Sequence, residues 1–180
     1  MQKTWQILEE KIKDSFPLFE TKISKRKRLD TDLEYDFFLL NGRDWSNIIA
    51  VTDEREILLV RQYRHGIEEY TLELPGGCLE IGETPKDAIM RELEEETGYC
   101  AENCQKLITL HANPAMMNVK AHFFVANNLR ETAKVKLDAT EDITLVKMPI
   151  EEVYQNISSG RITHAIQVAA LLFARDQLTR

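Results

Sequence analysis

Cysteine is scarce in this 180-residue chain, and the three present, Cys78, Cys100 and Cys104, give neither a disulfide framework nor two pairs of zinc ligands. Glycine and proline are also few, 7 and 5, which excludes a collagen-like or low-complexity chain. No apolar run approaches the ~20 residues of a membrane-spanning helix, and Met1 to Lys13 is too polar for a secretory leader, so a cytoplasmic protein is expected. Positive charge is in deficit. A formal net charge of −7 argues against general nucleic-acid binding, and such a chain would need cations beside any anionic ligand. The four histidines, His65, His111, His122 and His164, show no ligand spacing and are read as structural or peripheral. What remains is 43% hydrophobic and 29% charged, the make-up of a globular protein with a real core.

The organising stretch runs from Gly76 to Tyr99, GGCLEIGETPKDAIMRELEEETGY. A glycine pair and a tight loop lead to Thr84, an N-cap residue, with Pro85 at the first helical position and Asp87 in the first turn. The helix should end near Thr97, with Gly98 as its left-handed terminator. At ~100° per residue, Glu92 and Glu96 sit one turn apart, Glu95 lies on the adjoining edge and Glu94 points away. Ala88, Ile89 and Leu93 supply an apolar anchor. Like charges at i,i+4 destabilise a helix, so this acidic face calls for a neutraliser. A hard divalent cation such as Mg²⁺ suits carboxylate oxygens and keeps positions open for water and phosphate.

The stretch resembles the Nudix box, Gly-x5-Glu-x7-Arg-Glu-U-x-Glu-Glu-x-Gly-U, with U bulky and aliphatic. Gly77, Glu83, Arg91, Glu92, Leu93, Glu95, Glu96 and Gly98 fall at the required spacing, and Tyr99 replaces the final aliphatic residue. The resemblance implies an α/β/α sandwich with a mixed β-sheet and metal-dependent hydrolysis of a pyrophosphate bond. It implies Mg²⁺, with Mn²⁺ as an alternative. Glu92 and Glu96 would ligate metal with the Gly76 carbonyl, and Glu95 would be a ligand or its support. Arg91 and Glu83 would pair to hold the loop on the helix. A further carboxylate, Glu141 or in reserve Asp138, would bind metal or act as general base.

Around the box, apolar segments read as strands: Leu33 to Leu40 ending at Asn41-Gly42, Trp45 to Thr52, Ile57 to Tyr63, Tyr70 to Leu74, Leu107 to His111 and Ala121 to Val125. Trp5 to Ile12 fits a strand or a short helix, and a second strand should follow Phe16-Pro17-Leu18-Phe19. Glu131 to Thr140 reads as a polar loop before a further apolar segment, Ile143 to Val146. Helices are expected from Pro149 to a break at Ser158-Ser159-Gly160, and from about Thr163 to Leu178. The apolar stripe of the last is read as Ala165, Val168, Ala169, Leu172 and Phe173. Strands, a helix, then strands and helices indicate an α/β domain from 45 to 180. Residues 1–44 form a small β module too slight to bury much alone. Lys25-Arg26-Lys27-Arg28, the only basic cluster, reads as a solvated hairpin tip.

Arg61-Gln62-Tyr63-Arg64, the Leu72-Glu73-Leu74-Pro75-Gly76-Gly77 lead-in and Pro114 are similar to the ADP-ribose and nucleoside-diphosphate-sugar pyrophosphatase branch of the family. That likeness implies a homodimer through the N-terminal module, Arg64 pairing with phosphate, Glu73 touching metal or ribose, and a partner subunit that contributes to the base pocket, where an aromatic such as Tyr35 would stack on the base. Asn113-Pro114-Ala115 stands where the branch commonly has Ser-Pro-Gly, so the sugar contacts differ. GDP-mannose or dinucleoside polyphosphate hydrolysis, and a non-catalytic nucleotide sensor, are the alternatives.

Overall fold

The computed structural model describes residues 4–132, 135–137 and 141–179. It divides into two units: residues up to Asp44 together with His111–Lys120, and Trp45–Leu110 together with residues from Ala121 onward.

The first unit carries an antiparallel sheet of β1 (Trp5–Ser15), β2 (Phe19–Arg28) and β3 (Glu34–Gly42). The ambiguous first segment is therefore a strand, and it bulges between Ile7 and Glu9 and between Ile12 and Asp14. Asn41 and Gly42 are not a turn; they continue the ladder opposite Glu20 and Phe19. The basic cluster is no hairpin tip either. It ends strand β2, where Lys25 meets Glu34 at 2.8 Å, Lys27 meets Asp32 at 2.7 Å and Arg28 meets Asp30 at 2.7 Å. The segment 111–120 joins this unit by backbone: Leu40 N–H donates to Met116 O at 2.8 Å, and Leu40 bridges Met117.

The second unit holds β4 (Trp45–Ala50), β5 (Glu56–Arg64), β6 (Glu69–Glu73), β7 (Gly76–Cys78), α1 (Pro85–Thr97), β8 (Tyr99–Ala101), β9 (Gln105–His111), β10 (Lys120–Ala126), β11 (Leu129–Glu131), β12 (Ile143–Pro149), α2 (Ile150–Ser158) and α3 (Ala165–Leu178). Strand order is β7-β4-β10-β9 in one sheet and β12-β5-β6 in another, with β11-β8 a short pair. β4 runs parallel to β10 and antiparallel to β7, so the sheet is mixed.

Side chains alternate across a strand, and here the alternation makes two cores. Ile48, Ala50, Leu58, Phe124 and Ala126 face Ile89 and Leu93 of α1. Ile49, Val51, Ile57, Leu59, Phe123 and Val125 face Val153 and Tyr154 of α2 and Ala170, Leu171 and Ala174 of α3. Helices thus cover both sides of the strands, an α/β/α sandwich. The apolar stripe of α3 differs from expectation. Gln167, Ala170, Leu171, Ala174 and Leu178 are buried, whereas Leu172 and Phe173 are 49% and 61% exposed. The buried face lies on nearly the opposite side of the helix, roughly 190° round at ~100° per residue, and it carries Gln167 inward together with Ala170, Leu171, Ala174 and Leu178.

Candidate active site

Helix α1 begins as its sequence dictates. Thr84 is extended at φ −82°, ψ 153°, and its hydroxyl accepts from Asp87 N–H at 3.2 Å. Gly98 closes the helix at φ 71°, where its N–H reaches Glu94 O at 2.9 Å. Arg91 is a hub. Its guanidinium donates to Glu83 at 3.0 and 3.1 Å, to Glu92 at 2.8 Å and to Glu95 at 3.0 Å. The Arg91 fork holds the Glu83 carboxyl below the ordinary carboxylate range.

Glu96 is 5% exposed and accepts from Gly76 N–H at 2.7 Å. Burial first, then the charges of Glu92 and Glu141, push its carboxyl up to about 8. Glu92 is also pushed up, by burial first, with Arg91 opposing and Glu95 and Glu141 adding to it. Glu141 is thus within electrostatic reach of both box carboxylates, while Asp138 lies outside the described residues. Two glycines hold this corner open. A Cβ on Gly77 would stand 2.4 Å from Glu92 Oε1, and one on Gly76 would stand 2.1 Å from Ser46 O. β7 pairs Gly76 with Asn47 and Gly77 with Ser46, which sets the glycines beside α1.

These donors are all oxygen and carry like charges, a set that fits a hard divalent cation. Among the described residues no three His, Cys, Asp or Glu side chains are already gathered around one point, since Arg91 engages Glu92 and Glu95. A cation would replace burial of a proton on Glu96, which makes a stability prediction. Folded Glu96 keeps its proton between pH ~4.5 and about 8, where the unfolded carboxyl has lost it. Metal-free protein should therefore lose stability as pH rises through that window, by up to ~1.4 kcal/mol per unit, and level off above it. Saturating Mg²⁺ should flatten the slope. Denaturation midpoints from pH 5 to 9, in chelator and in Mg²⁺, check this; a flat profile in chelator would overturn it.

Beside the box lies a cavity of about 640 Å³, with Trp45, Ile67 and Ala165 as apolar walls and Asn47, Arg64, Gly76, Gly77 and His164 among its other lining residues. Arg64 donates through Nε and Nη2 to Glu73 at 2.6 and 2.7 Å. Burial alone would raise the Glu73 carboxyl, but the Arg64 fork and the Thr71 hydroxyl outweigh it and hold it low. Glu73, 1% exposed, also lines the cavity, and its oxygens accept from Arg64, Thr71 and Gln167.

Tyr35 lies on β3 of the first unit, 58% exposed, its ring 5.1 Å from Phe37. The cavity's aromatic is Trp45. His164, read as peripheral, caps α3 and lines the cavity, its Nε2 4.0 Å from Glu73 and its Nδ1 buried without a partner. Trp45, Asn47, Thr71, His164 and Gln167 had no motif to mark them.

Comparison with known proteins gives the family. A family model described as NUDIX domain matches residues 43–169, and the chain belongs to that family. It is a Nudix hydrolase. It is 36% identical over 131 residues to the "Methanol dehydrogenase activator" of Bacillus methanolicus, covering 72% of this chain and 71% of that one. It is 33% identical over 127 residues to the "ADP-ribose pyrophosphatase" of Bacillus subtilis, covering 70% and 69%. A solved structure, "Crystal structure of ADP compounds hydrolase", superposes with a TM-score of 0.88 over 99% of this chain and 96% of the other, at 23% identity, and so shares the fold.

Proposed function

We propose that this Nudix hydrolase cleaves the pyrophosphate bond of ADP-ribose or a related nucleoside diphosphate sugar, giving a nucleoside monophosphate and a sugar phosphate. The observation that carries the reading is adjacency: Gly76 and Gly77, packed on the box carboxylates Glu96 and Glu92, also wall the cavity that holds Arg64. A ligand there can place a diphosphate over the glycines and an organic end against Trp45 and Ile67. The Bacillus subtilis relative, an "ADP-ribose pyrophosphatase", supports the same substrate class.

Glu92, Glu96 and the Gly76 carbonyl would hold the divalent ion, Mg²⁺ or in its place Mn²⁺, with Glu95 and Glu141 beside them. When bound, the ion neutralises charge on the phosphoryl oxygens and lowers the pKa of the attacking water. Glu141 or Glu95 takes the proton from that water. Arg64 has Nε and Nη2 fixed by Glu73, which leaves Nη1 to meet a phosphate oxygen. Arg64→Lys keeps the charge but loses the fork, and KM should rise about tenfold with kcat changed less. Steady-state kinetics check this; an unchanged KM would remove Arg64 from the substrate site.

Dimerisation through residues 1–44 belongs to the same reading. Ile7, Leu8, Ile12, Phe16, Leu18, Leu33 and Phe38 are exposed on that three-stranded unit, a surface suited to a second copy. Light scattering of the purified chain reads the mass; a monomer at micromolar concentration would sink it.

The deciding experiment is turnover of ADP-ribose, GDP-mannose, UDP-glucose, diadenosine polyphosphate and GTP, each with Mg²⁺ and with chelator. Metal-dependent cleavage of a sugar nucleotide is the expected result and ranks the sugars. Activity on polyphosphates or GTP alone, or tight ADP-ribose binding without turnover, would overturn the substrate reading.

A further inference from the structure

The Glu73 carboxylate has four donors. Oε1 accepts from Arg64 Nε at 2.6 Å and from the Thr71 hydroxyl at 2.6 Å. Oε2 accepts from Arg64 Nη2 at 2.7 Å and from Gln167 Nε2 at 2.9 Å. A carboxylate offers about four acceptor sites, so these are filled. Gln167 completes the set from α3, a sequence separation of 94.

Gln167 is 2% exposed, and its other amide atom is also engaged: Oε1 accepts from Leu74 N–H at 2.6 Å. The amide can sit only this way round. Flipped, it would set its NH₂ against an N–H and its oxygen against a carboxylate. Leu74 follows the last residue of β6, where the β5–β6 ladder has ended at Val60 and Glu73. Leu74 is buried, so without Gln167 its N–H would be an orphaned donor. Two residues on, Gly76 presents its N–H to Glu96.

We propose that Gln167 is a positioning residue for the hydrolytic reaction, setting the Arg64 guanidinium through Glu73 and the Gly76 backbone through Leu74. The inference rests on the reading that Arg64 meets substrate and Gly76 meets metal. It assigns work to a buried helix residue far from the box, and it splits into two arms that separate variants address.

Gln167→Glu keeps the acceptor for Leu74 but sets a second carboxyl against Glu73, where the two compete for one proton and the hold of Glu73 on Arg64 weakens. Gln167→Leu removes both bonds. The readouts are kcat, KM for the sugar nucleotide cleaved fastest by the parent, the Mg²⁺ concentration for half-maximal rate, and Tm. Gln167→Glu should raise KM about tenfold, with kcat within about threefold and the Mg²⁺ requirement unchanged. Gln167→Leu should raise KM and the Mg²⁺ requirement together. Thr71→Val, which removes a different donor from the same carboxylate, should raise KM about threefold and serves if the Gln167 variants do not fold. A merely structural Gln167 would lower Tm and leave KM and the Mg²⁺ requirement at parent values; that result overturns the proposal. Arg64→Ala separates the two levels. If it raises KM and neither Gln167→Glu nor Thr71→Val does, the positioning role fails alone. If Arg64→Ala leaves KM unchanged, the substrate reading of Arg64 fails and takes the Arg64 arm with it.

Discussion

Glu96→Gln should lower metal-dependent turnover by about 10³-fold and leave the metal-free protein at least as stable as the parent. A lost ligand removes several kcal/mol of charge stabilisation at the transition state, and ~4 kcal/mol is a thousandfold in rate. The stability half follows from burial. Glu96 is almost sealed from solvent, and its carboxyl is pushed up to about 8, so ionising it near neutral pH costs free energy. Glutamine has nearly the same volume and still offers an oxygen to Gly76 N–H, which Glu96 Oε2 accepts at 2.7 Å. The two readouts therefore move in opposite directions, which a folding defect cannot imitate. Turnover in Mg²⁺ and Tm in chelator decide it. Parent-level turnover would show that Glu96 holds no essential ion.

Gly76→Ala should cost at least ~3 kcal/mol of stability, where Gly77→Ala should mainly cost activity. Gly76 has φ +151°, a conformation that side chains rarely adopt, and its added Cβ meets backbone: Ser46 O at 2.1 Å and Asn47 Cα at 2.8 Å. Strain of ~1–3 kcal/mol and overpacking of a similar size add up, because β4 is locked between β7 and β10 and cannot retreat. At Gly77 the added Cβ meets the far end of Glu92, with Oε1 at 2.4 Å and Cδ at 2.7 Å. A side chain can swing away, but here it takes a candidate metal ligand with it. Chemical denaturation of both variants, set against their turnover, tests the contrast. Equal stabilities would mean that the β4–β7 corner yields more readily than its geometry indicates.

The box helix was legible because each of its signals is local. Thr84, Pro85 and Gly98 act within one turn of themselves, and Arg91 reaches Glu95 along the same helix and Glu83 across one loop. The sandwich was legible because apolar runs of strand length alternate with helical ones. Strands β8 and β11 went unread, each only three residues and held by the other. The α3 stripe was misassigned because the helix, AIQVAALLFARDQL, is apolar on most sides, so periodicity does not choose a face. What its buried face meets is distant in sequence: the partners of Gln167, Leu74 and Glu73, lie 93 and 94 residues away. His164 and Trp45 are of the same kind: what marks them is the cavity, and a cavity has no sequence period.

The return of residues 111–120 to the first unit changes what a truncation means. The first unit is not a prefix: the backbone leaves it after Asp44, comes back at His111 and leaves again at Lys120. Cutting at residue 44 would strip Met116 O of the Leu40 N–H and Asn118 of its partners Asn41 and Gly42, stranding a ten-residue segment in the middle of the remaining chain. The units are braided by covalent connectivity, so neither is a separable cassette. A graft that moves the N-terminal strands into another protein must carry the 111–120 segment with them.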